Sequence, residues 1–61
     1  GAYQNAVIQA YLRSGACFEK LGDKQSALNT YREFLDSEFS PGTAGAAFAR
    51  QRIAALSGGA S

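Results

Sequence analysis

Glu33 and Asp36 stand three residues apart and Glu19 and Asp23 four. On a helix these spacings bring side chains together, so each pair could match an acid with a base or hold part of a metal shell. The chain has no histidine and one cysteine. Neither pair therefore has an imidazole to move protons, and a zinc set of cysteine and histidine ligands is excluded. Cys17 sits within a helical pattern in a chain with no histidine to activate its thiol, so it reads as a small packing residue. A single thiol also rules out an internal disulfide and leaves the redox compartment open. The acidic pairs read as solvated helix surface, since so short a chain cannot enclose a cavity and Asp23 has a capping role. The expectation is a protein that is not an enzyme, with no catalytic residue, metal ligand or cofactor of its own.

Length and charge narrow the classes further. Sixty-one residues make one domain at most, and a chain of this size buries only about 60% of the surface it exposes when unfolded. Its core supplies roughly 3–5 kcal/mol unless something staples it. The net charge is +1, and Arg13, Lys20, Lys24, Arg32, Arg50 and Arg52 are scattered rather than clustered. Nucleic acid is a poor partner for such a surface, because phosphate binding needs a basic face. No apolar run approaches the roughly 20 residues that cross a bilayer, which argues against membrane insertion. The N-terminus does not read as a signal peptide.

Three helices must position whatever the chain presents. Tyr3, Val7, Ala10, Tyr11, Ser14, Phe18 and Leu21 recur at intervals of three and four and share one face of a first helix. Gly22 ends it and Asp23 caps the next, its carboxylate placed to accept from the backbone of Gln25 or Ser26. Ala27, Leu28, Tyr31, Phe34 and Leu35 form the apolar stripe of this second helix, with a possible Arg32–Asp36 pair on its outer side. The second break is Phe39-Ser40-Pro41-Gly42-Thr43. A third helix is expected from Pro41 with Ser40 as cap, the alternative being a start one turn later with Thr43 as cap. Ala46, Ala49, Ile53 and Leu56 give it a stripe of mostly small residues, which calls for close helix approach. Residues 57–61 read as a Gly/Ser-rich tail.

Tyr11, Gly15, Phe18, Gly22, Ala27, Leu28, Tyr31 and Leu35 are spaced as in the tetratricopeptide repeat, and residues 8–41 resemble one such repeat. The resemblance implies an all-α antiparallel helical hairpin, a fragment of a right-handed superhelix, closed here by a third packing helix at 41–56. Residues 1–56 would then form one module and 57–61 a flexible tail. Apart from the resemblance, Gly15 and Ala27 are small where two antiparallel helices touch, and the rings of Tyr11, Phe18 and Tyr31 flank them. The chain departs from the family pattern at Ser14, Lys24 and Phe34, and Phe34 calls for a pocket on the third helix.

Repeats of this family bind partners along the first helix, which implies a protein-interaction module. On this chain the surface would hold Ile8, Gln9, Leu12, Ala16, Glu19 and Lys20, suited to a hydrophobic peptide or partner helix. Leu12 and Ala16 stand where the family's carboxylate clamps carry lysine and asparagine, so a clamp of that kind is not expected. The rival reading is a homo-oligomer joined through the long N-terminal helix by Val7, Ile8 and Leu12. The phrasing is similar to repeats of bacterial cell-envelope and cell-division proteins, which suggests bacteria and leaves cytoplasm and periplasm open.

Overall fold

The structure is a computed structural model describing residues 1–58 as three helices, α1 (Ala2–Lys20), α2 (Lys24–Asp36) and α3 (Ala44–Leu56). The expected tail lies, from residue 59 onward, outside the described residues. The chain is all-helical: α1 and α2 pack extensively as a hairpin and α3 packs against them.

Local chemistry makes the first turn sharp. Gly22 takes a left-handed φ of 78°, which costs a glycine nothing because it has no Cβ. Gly22 then donates its N–H to Glu19 O and Asp23 to Phe18 O, a paired closure that satisfies the last carbonyls of α1. Asp23 at once accepts from Ser26 N at 3.1 Å and starts α2. The chain reverses, so Tyr11 lies beside Phe34 and Gly15 beside Tyr31.

That second juxtaposition sets the helix spacing. Gly15 is buried, and a Cβ added to it would sit 2.5 Å from both Cε1 and Cζ of Tyr31. The Tyr31 ring occupies the space that any other residue at 15 would need.

The start of α3 corrects the expected one. Thr43, not Ser40, is the cap, accepting from Ala46 N at 3.1 Å, and the helix begins at Ala44. Two local effects displace it. Gly42 adopts a φ of 73°, outside the helical region. Ser40 is committed to the preceding helix: it is buried, and its hydroxyl donates to Leu35 O while its carbonyl accepts from Thr43. The Arg32–Asp36 pair does not form either; the one ion pair among the described residues lies elsewhere.

The core is centred on α2, which is covered from both sides. Ala27, Tyr31 and Phe34 of α2 are fully buried, with Ala46 and Ala49 of α3 against them and Ile8, Tyr11, Leu12 and Phe18 of α1 half-buried around them. Phe34 has the pocket it needs. Tyr11 packs on it with its ring tilted by 42° at 5.5 Å between centroids, and Phe34 Cζ reaches toward Gly45, where an added Cβ would be only 3.3 Å away. The stripe of small residues on α3 is what lets that helix approach the two rings.

Candidate functional site

Glu19, at the end of α1, joins all three helices. One carboxylate oxygen, Oε2, accepts from the Tyr31 hydroxyl of α2 at 2.7 Å and from Arg52 Nε of α3 at 3.1 Å; Oε1 accepts from Arg52 Nη2. Arg52 thus grips the carboxylate with two parallel N–H groups, the strongest geometry available to such a pair. The arrangement is a structural clasp. No buried side-chain polar atom among the described residues is left without a partner.

The clasp predicts how stability follows pH. Hydrogen bonding from Arg52, then from Tyr31, with the Arg52 charge, holds the Glu19 carboxyl below its ordinary 4.5 against the opposing effect of burial. A lowered acid contributes stability that is complete above the unfolded value and lost as pH falls through the folded one. Tyr31 moves the other way. Burial first, then the Glu19 carboxylate, push its hydroxyl from 10.0 up to about 12, so its contribution is complete below pH 10 and is lost between 10 and about 12. Urea midpoints measured across pH should therefore fall at both ends. Glu19→Gln is expected to flatten the acid limb and Tyr31→Phe the alkaline one. An alkaline limb unchanged in Tyr31→Phe would show that the hydroxyl is not held as described.

The six residues expected to meet a partner divide into two sets. Ile8 and Leu12 face α3, their side-chain carbons lying 3.0 and 3.4 Å from the position of a Cβ on Gly45, and Glu19 is in the clasp. Ala16 is half-buried, while Gln9 and Lys20 are exposed. Cys17 corrects the packing expectation: it is exposed, on the side of α1 that no other helix covers. The acidic pairs are separated by role, with Asp23 capping α2 and Glu19 in the clasp, while Glu33 and Asp36 lie exposed on α2. Among the described residues no group of three His, Cys, Asp or Glu side chains could hold a metal ion. No helix there is long and apolar enough to cross a membrane.

What the sequence stripe of α1 does provide is an open groove on the side of the hairpin away from α3. Val7, Ala10, Tyr11, Ser14 and Phe18 of α1 line it with Thr30 and Glu33 of α2, around a volume of about 400 Å³. The same stripe continues past both ends of the groove to Tyr3 and Leu21, which are 75% and 73% exposed. Tyr3 touches only the edge of Phe39, 6.2 Å away between centroids, among the ring contacts of the described residues. The alternation that placed these residues on one face was visible in the sequence. The contribution of Thr30 and Glu33 was not, since it depends on how α2 is rotated against α1. The groove is apolar along α1, with Ser14, Thr30 and Glu33 supplying its polar groups.

Comparison of the chain with protein-family models, with curated proteins and with solved structures finds no match.

Proposed function

We propose that this chain is a non-enzymatic protein-interaction module, a tetratricopeptide-like hairpin with a capping helix, whose first helix offers the surface for a partner peptide or helix. One observation supports it above the others: along one face of α1, folding leaves Tyr3 and Leu21 exposed and Val7, Tyr11 and Phe18 only half-buried around an open groove. A stripe of this kind along one helix is the usual receptor for the apolar face of another. Glu33 on the groove rim favours a partner carrying a lysine or arginine beside its apolar residues. Of the six residues expected to meet a partner, none lines this groove; Ile8, Leu12 and Glu19 instead hold α3 against the hairpin. Homo-oligomerisation through the long N-terminal helix draws on the same exposed stripe, with Val7 rather than Ile8 and Leu12 at its centre.

Selection from a displayed library of helical peptides tests the reading. Enriched sequences should carry an apolar stripe with a basic residue beside it. Ser14→Arg, which fills the groove from an exposed position, should weaken their binding at least about tenfold while the circular dichroism spectrum is unchanged. Failure to enrich any such peptide, or equal binding by Ser14→Arg, would remove the basis for the proposal.

A further inference from the structure

We propose that the groove between α1 and α2 receives the outward face of α3 from a second copy of this chain, so that copies stack head to tail. The inference rests on the interaction-module reading and names the partner for its groove.

Groove and α3 lie on opposite sides of the hairpin. Ala10 lines the groove and Glu19 holds Arg52 of α3. These two residues are separated by about two and a half helical turns, so their side chains leave α1 in opposite directions. A surface that accepts and a surface that could insert are therefore both available on one molecule at once.

The outward face of α3 has the required shape. Ala46 and Ala49 point into the core, and half a turn around the helix Ala47, Gln51 and Ala54 are exposed, with Ala44 continuing the row. Phe48 flanks that row, 41% exposed, its ring meeting Tyr31 edge-on at 6.1 Å. The methyl groups of Ala44, Ala47 and Ala54 let most of this face come close to a shallow groove, with Gln51 reaching past its edge. The exposed part of the Phe48 ring beside the row can meet the apolar space between Val7, Tyr11 and Phe18.

Charge selects the same occupant. No acidic residue occurs in α3, and Arg50 is exposed at the edge of its outward face. The α2 rim of the groove carries Glu33, with Asp36 one turn on, and neither forms an ion pair among the described residues. Inserting α3 brings Arg50 to an acidic rim, whereas laying α1 on a second α1 would set Glu33 of the two copies near one another. Because the two surfaces differ and face opposite ways, the contact is heterologous and each copy can make it twice.

Sedimentation equilibrium of the full chain from micromolar to millimolar concentration tests this. The average mass should rise continuously past that of a dimer. Glu33→Arg and Arg50→Glu, both at exposed positions, should each lower the association constant about tenfold by placing like charges together. Mixing the two variants in equal amounts should restore association, because every contact in an alternating stack then pairs opposite charges. A chain that stays monomeric at millimolar concentration, or variants whose mixture does not recover, overturns the proposal. If helical peptides still bind the groove of that monomer, the self-stacking inference alone falls and the interaction-module reading stands; if they do not, both fall.

Discussion

Gly15→Leu is expected to leave the chain without a cooperative thermal transition. Position 15 faces the ring of Tyr31 so closely that even one added carbon would lie 2.5 Å from two ring atoms. Such an overlap is relieved only if the ring or the helix moves. The ring has little freedom, since Tyr31 is fully buried and its hydroxyl is bonded to Glu19. Overpacking of this kind costs about 1–3 kcal/mol for small additions and more for large ones. A core of this size supplies roughly 3–5 kcal/mol in all, so a leucine exceeds what the fold can absorb. Gly15→Ala is the informative comparison. Alanine gains about 1 kcal/mol in helix propensity but meets the same ring, and the contact should win, lowering the urea midpoint. A Gly15→Ala variant more stable than the parent would mean that Tyr31 can withdraw and that the close approach does not set the helix spacing.

The hairpin was legible because its signals are local. Gly22 and Asp23 adjoin one another and each acts on the helix end beside it, through a left-handed φ and a carboxylate cap. The periodicity of α1 and α2 needed only intervals of three and four. The start of α3 depended on a competition the sequence does not show. Ser40 can cap a following helix or close a preceding one, and its bond to Leu35 O takes the second course. The clasp was hidden for a different reason: Tyr31 and Arg52 stand 12 and 33 residues from Glu19, and nothing in their spacing announces a meeting. Cys17 misled because an apolar residue type within a mostly apolar helix reads as buried, whereas the hairpin and α3 cover only part of the circumference of α1.

Phe34→Ala is expected to cost about 3–5 kcal/mol, comparable with the whole stability of the chain. The ring is fully buried and connects two packing events, the Tyr11 contact within the hairpin and the approach of Gly45 from α3. Truncation leaves a void where apolar side chains of all three helices meet. The identity of Gly45 follows from the same contact. A Cβ there would lie 3.0 Å from Ile8 Cγ2, 3.3 Å from Phe34 Cζ and 3.4 Å from Leu12 Cδ1, so Gly45→Ala alone crowds three neighbours and should be mildly destabilising. In a Phe34→Ala background one of those neighbours is gone and the new methyl group enters the void. The two substitutions should therefore couple favourably, the double variant being more stable than the sum of the single effects by at least about 0.5 kcal/mol, the margin beyond which independent sites are excluded. Urea denaturation of the four proteins measures this directly. If the parent chain is too weak to compare, the same cycle can be run with sucrose present, which strengthens burial in every member alike. Strict additivity would show that Phe34 is held by the hairpin alone and that α3 closes over a core already complete without it.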